Sequence, residues 1–167
     1  MKTIHFFTLI KHFTIATFLC MLFAQCSPSK MASKLSSDEL NDMIANKDFR
    51  FVAQQVNPMR GRTRILTSEY DVVIKNDSLV SFLPYFGRAY QAPMNPSEGG
   101  IQFTSTQFSY DVTSGKKDDW TLIIKPKDYQ QVQAFNFKVF ANGSASLQVI
   151  STNKDPISFN GHVFKNK

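Results

Sequence analysis

The chain is poor in the residues that most chemistry uses: two cysteines, three histidines and one tryptophan in 167 residues. Two cysteines exclude a disulfide-dense scaffold, and with three histidines they exclude almost any thiolate–imidazole zinc site. Charged residues make up only 19%, and glycine and proline number seven each. Neither a disordered nor a fibrous chain has that balance. Hydrophobic residues at 43% and aromatics at 13% are what a globular domain carries. The length suits one domain, or one domain behind a leader.

The leader is legible. Lys2, His5, Lys11 and His12 make a basic start, and residues 13–24 form an apolar run without an alternating polar face. We read residues 1–25 as an export signal, because the run is of signal-peptide length. A spanning helix needs roughly 20 predominantly apolar residues, and nothing after position 26 approaches that. Leu22-Phe23-Ala24-Gln25-Cys26 resembles a bacterial lipobox, in which the cysteine becomes the acylated first residue. Gln25 stands where a small residue is usual, so cleavage by an ordinary signal peptidase, giving a periplasmic or secreted protein, is the alternative. Residues 26–34, from Cys26 on, then read as a polar tether, and 35–167 as a single β-rich domain. The expected location is the bacterial cell envelope, with membrane contact through the lipid anchor only.

Without Lys2 and Lys11 the formal charge falls from +6 to +4, which is not a nucleic-acid-binding balance. His162 is then the one imidazole and Cys26 the one thiol. No cofactor and no metal site are expected from so few donors.

Ser36-Ser37-Asp38-Glu39 fits a capping box, with Leu35 and Leu40 placed to close a hydrophobic staple. Leu40, Met43 and Ile44 follow at helical spacing, so a short helix to about Asn46 has one apolar stripe. From Phe49 the period becomes two. Tyr70, Val72 and Ile74 alternate, Asn76 and Asp77 turn the chain, and Leu79 to Leu83 returns. Segments 101–104, 108–112, 120–124 and 157–163 continue the pattern, with Lys116-Lys117-Asp118-Asp119 as a charged hairpin tip. The predicted fold is mainly β: about eight short antiparallel strands in a sandwich or barrel-like sheet, with one short N-terminal helix. Eleven phenylalanines after residue 26 are available for its core.

One hairpin can be read to its register. A two-residue Asn142-Gly143 loop would set Val139 opposite Ser146, apolar against polar. A three-residue Ala141-Asn142-Gly143 loop sets Val139 opposite Ala145 and Phe137 opposite Leu147. Burial selects the second, with Gly143 as the left-handed residue.

Leu83-Pro84-Tyr85-Phe86-Gly87-Arg88-Ala89-Tyr90, followed by Gly99-Gly100-Ile101-Gln102-Phe103, resembles the "domain of unknown function 4251" family. The Gly143-to-Leu147 return and the Ile157-to-Gly161 ending resemble it too. Lys154 stands where the resemblance leads one to expect arginine. The resemblance spans roughly residues 49–163 and implies an exported envelope protein with a β-rich domain. It implies no activity.

Candidate chemistry is sparse. A Ser–His–Asp or Cys–His arrangement needs an imidazole base, and His162, on a strand-like segment near the end, reads better as a surface or edge residue. Gly99-Gly100 is a turn, not a phosphate loop. Glu69 and Asp71 share a strand face and Asp118 adjoins Asp119, so a small hydrolase using paired carboxylates is the alternative reading. Their plainer roles are a solvated strand face and a charged turn. Arg60, Arg62 and Arg64 would point one way on a strand, either toward phosphate or sulfate groups or as a charged edge.

The preferred site is Tyr85, Arg88 and Tyr90, joined by Trp120. Pro84 ends a strand there and Gly87 lets the chain bend, so aromatic planes gather beside a guanidinium. The competing reading makes the aromatics a plug of the fold and pairs Arg88 with a carboxylate. The leading functional reading is a non-catalytic module binding an unidentified envelope glycan, peptide, lipid or protein partner, with no catalytic residues.

Overall fold

The computed structural model describes residues 36–90, 99–115 and 119–166. All of them fall in the second of the chain's two units, Lys34–Lys167. The expected export signal, Cys26, the tether, Leu35 and three of the four hairpin-tip residues lie outside the described residues.

Helix α1 (Ser37–Ala45) begins as the sequence dictates. Ser36 Oγ accepts from the Glu39 amide at 3.1 Å, and Glu39 Oε2 accepts from the Ser36 amide at 2.9 Å. Both orphan amides of the first turn are thereby satisfied. Leu40, Met43 and Ile44 are buried on one stripe. The helix is too short to persist alone, and its docking holds it. The Tyr110 hydroxyl donates to the Ile44 carbonyl at 2.8 Å, and the Asn76 amide to the Lys47 carbonyl at 3.0 Å.

Nine strands follow among the described residues: β1 (Asp48–Pro58), β2 (Arg64–Lys75), β3 (Ser78–Leu83), β4 (Ile101–Ser105), β5 (Phe108–Ser114), β6 (Trp120–Pro126), β7 (Val132–Val139), β8 (Ser144–Ser151) and β9 (Ile157–Lys165). They form one antiparallel, barrel-like, nearly closed sheet in the order β4-β3-β2-β1-β9-β8-β7-β6-β5. Of the two architectures expected, the barrel is the one found.

An all-antiparallel ring needs an even number of strands, and the odd count here has a simple resolution. β4 and β5 are the two edges of the sheet, yet only Thr106 and Gln107 separate them in the chain. Following the antiparallel ladders around the sheet gives β4 and β5 the same direction. They are one path broken by a kink: its first half pairs with β3, its second with β6. The meander thus closes as eight strands. Across the seam Phe103 stacks on Tyr129, with ring centroids 4.0 Å apart and planes 7° from parallel. The Lys127 amide donates to the Gln107 carbonyl at 2.7 Å.

An eight-stranded ring is just wide enough for side chains to fill. Phe49, Phe51, Phe135, Phe137 and Phe159 are fully buried with Val72, Leu122, Leu147 and their neighbours. Phe137 meets Phe51 edge-on at 5.5 Å and Phe49 at 6.2 Å. The aromatic core is smaller than expected. Phe82, Phe140 and Phe164 are exposed, and Phe86, Phe103 and Phe108 only partly buried.

The β7–β8 hairpin takes the three-residue loop, with Val139 opposite Ala145 and Phe137 opposite Leu147. Gly143 has φ +79°, the left-handed value that loop requires. β1 holds an irregularity not foreseen. Phe49, Phe51 and Ala53 point inward, then Gln54 is inserted so that Gln55 pairs with Asn160 and Val56 turns inward again. The bulge leaves both glutamines facing water.

Candidate functional site

β3 ends at Leu83 before Pro84, as expected, and the run to Tyr90 crosses to the link between β8 and β9. Ala89 and Lys154 form an isolated antiparallel bridge. The Tyr90 amide donates to the Asn153 carbonyl at 2.8 Å, and the Asp155 amide to the Arg88 carbonyl at 3.0 Å. Tyr85 braces this latch. Its hydroxyl lies 2.8 Å from the Arg88 carbonyl and 3.1 Å from that of Asp155, both acceptors. Burial, with the Asp155 charge nearby, pushes the Tyr85 phenol up to about 12. Lys154 is buried beneath the same ring. Its Nζ donates to the Gly100 carbonyl at 3.0 Å and sits 5.1 Å from the Tyr85 centroid.

Tyr90 and Arg88 face solvent, Tyr90 at 62% exposure. The Tyr90 hydroxyl donates to Asp155 Oδ1 at 2.5 Å, and this bond holds the phenol above its ordinary value. The Arg60 and Arg88 charges pull it the other way. Arg64 lies 4.8 Å from the Phe86 centroid. Arg64 thus borders Phe86, the Arg60 and Arg88 charges act on Tyr90, and among the described residues none of the three pairs with a carboxylate. The pairing of Arg88 with a carboxylate that the competing reading required is not found among the described residues; its carbonyl serves the latch.

Two expectations need correcting here. Arg60, Arg62 and Arg64 do not share a strand. β1 ends at Pro58 and pairing with β2 resumes only at Val56 opposite Arg64, so Arg60 and Arg62 lie in the connecting loop. The Thr63 hydroxyl closes that loop on Asn57 Oδ1 at 2.8 Å. Trp120 does not join the tyrosines. It is 5% exposed, opposite Val139 at the hairpin end of β7, whereas the latch adjoins the Val132–Ser151 end. Seven residues of strand, about 23 Å, separate those ends.

Glu69 and Asp71 do share a face, but one guanidinium takes both. Arg50 Nη2 is 2.7 Å from Glu69 Oε1, and its Nε is 2.5 Å from Asp71 Oδ2. Asp119 pairs with Lys138 at 3.0 Å. Asp118 lies outside the described residues, and among those described Glu69, Asp71 and Asp119 are all paired with cations, so the hydrolase reading finds no support. Among the described residues no three His, Cys, Asp or Glu side chains gather as a metal site.

A concavity lies on the outer surface of β1, β8 and β9, a groove of about 430 Å³. Gln54, Gln55, Asn160 and His162 line it together with Ile65 and Phe140. His162 is not at an edge; β9 lies between β1 and β8. Its Nδ1 is 3.1 Å from Gln54 Oε1. The phase slip from Ala53 to Val56 was the available sequence signal for this groove.

A family model described as "Domain of unknown function (DUF4251)" matches residues 32–163. Comparison with curated proteins finds no match. The fold is similar to the crystal structure of a DUF4251 family protein from Bacteroides eggerthii DSM 20697, with a TM-score of 0.58. The two chains are 14% identical, and the alignment covers 80% of this chain and 90% of that one.

Proposed function

The chain belongs to the domain of unknown function 4251 family, and from that premise we propose that it is a non-catalytic binding module of the bacterial envelope. Its residues 1–25 act as an export signal, and Cys26 carries the lipid that holds it to a membrane. Fold alone assigns no ligand, so the reading rests on the surface. One observation carries it: Arg64 borders Phe86 and the Arg60 and Arg88 charges act on Tyr90 in the same run, and among the described residues no carboxylate pairs with any of the three. Guanidiniums bind carboxylate and phosphate bidentately, and flanking aromatic planes add stacking. The ligand class is therefore an anionic envelope molecule, an acidic polysaccharide or a lipid headgroup.

Thermal unfolding of the full chain with polygalacturonate, with phosphatidylglycerol vesicles and with neutral dextran tests this. A ligand of the native state raises apparent stability. One anionic probe should do so, dextran should not, and the shift should shrink in high salt. Polygalacturonate alone acting would identify a polysaccharide, vesicles alone a headgroup. An anionic shift unchanged in Arg60→Ala/Arg88→Ala would overturn the site.

A further inference from the structure

We propose that the groove on β1, β8 and β9 is a second binding site, for a neutral saccharide. It goes beyond the anionic reading, because it lies on other residues and suits the opposite electrostatics. Among the described residues no lysine, arginine, aspartate or glutamate lines it. Its polar groups are carboxamides, hydroxyls and one imidazole. Such groups both donate and accept, which matches sugar hydroxyls and gives no grip on a formal charge. Its volume, about 430 Å³, falls within the range of small-ligand sites.

The apolar half of the lining points the same way. Ile65 is 76% exposed and Phe140 41%, two large apolar side chains left in water beside polar ones. A sugar ring offers hydroxyls at its edge and C–H groups on its face, so one ligand satisfies both kinds of wall. Phe140 is braced: Lys138 Nζ, paired with Asp119, lies 5.9 Å from the ring centroid. Gln54 is braced by His162. An extended peptide is disfavoured because β1, β8 and β9 are each paired on both sides and expose no free backbone edge.

The backbone is built for the hollow. The bulge turns Gln54 and Gln55 outward together, where unbroken alternation would send Gln55 into the core. Beside it β9 approaches so closely that a Cβ on Gly161 would lie 1.9 Å from the Val52 carbonyl oxygen. Bulges of this kind re-aim side chains next to functional sites.

Saturation-transfer NMR on the full chain with maltotriose, cellotriose, mannotriose and chitotriose, each at millimolar concentration, tests the proposal. At least one should receive magnetisation on its ring C–H protons. Phe140→Ala and Gln54→Ala should each weaken that binding roughly tenfold, and Arg88→Ala should leave it unchanged. Ile65→Ser, at the most exposed position, replaces Phe140→Ala if that variant unfolds. Transfer to none of the four, or transfer that survives the groove variants, would overturn the site. Loss in Arg88→Ala alone would also overturn it and assign sugar binding to the arginine face.

Discussion

The Ser105 hydroxyl donates to the Asp128 carboxylate across the seam of the barrel, from the last residue of β4 to the segment that follows β6. The other oxygen, Oδ2, accepts from the Thr106 amide at 2.9 Å and the Gln107 amide at 3.3 Å. One side chain therefore holds the kink at which the chain passes from one sheet edge to the other.

Acid should loosen the seam. The Ser105 hydroxyl, then the Thr106 amide, hold the Asp128 carboxyl below its ordinary value of 3.8. A depressed folded value means that the contribution is complete above 3.8 and is lost as pH falls through the lower folded value. Asp128→Asn should lower the unfolding temperature at neutral pH and flatten the acid limb of a pH series. An acid limb identical to wild type would contradict this role.

Phe137→Ala should cost about 3–5 kcal/mol, because the ring is 1% exposed and packs edge-on against Phe49 and Phe51. Urea unfolding measures it, with the slope unchanged if the denatured state is the same. A loss below about 1 kcal/mol would mean that the interior repacks freely.

Tyr85→Phe removes the brace of the latch and keeps the ring against Lys154. Both carbonyls it serves belong to partly solvated backbone, so the cost should be about 0.5–1.5 kcal/mol. At high pH the sign is fixed. The Tyr85 phenol rises from 10.0 to about 12, so its contribution is whole below pH 10 and fades as pH climbs to 12. Tyr110, raised by burial, adds to the same alkaline loss. Tyr85→Phe should make the alkaline limb shallower in a thermal-unfolding series.

Cys26→Ser should release the protein from the membrane fraction and abolish labelling with radioactive palmitate. Membrane association that persists after the substitution would remove the anchor.

Much of the fold was written in short-range patterns. The capping box, the Leu40-Met43-Ile44 stripe and the Val139–Ala145 register each depend on residues within a few positions of one another. The family was legible in the run from Leu83 to Tyr90. What escaped was set by long-range geometry. Arg60 and Arg64 meet the Arg88 segment only because the barrel brings the β1–β2 loop beside the exit of β3. Trp120 carried the same aromatic signal as Tyr90, but strand register sends it into the core at the far end. The bulge at Gln54 was visible as a skipped beat between Ala53 and Val56; an even alternation passes over it.

The pairing of β1 with β9 has a consequence for how the molecule comes into being. Phe49 lies opposite Lys165, partners more than a hundred positions apart in sequence. A chain emerging from the ribosome, or from a translocation pore, presents β1 long before the strand that covers its flank. Loop-closure entropy must be met before that contact returns anything, so high contact order makes the final step slow. Until then β1 is an uncovered edge with Phe49 and Phe51 beside it, the kind of surface on which growing chains aggregate. Closure of this ring is therefore late, and the flank of β1 stays exposed until residue 165 arrives.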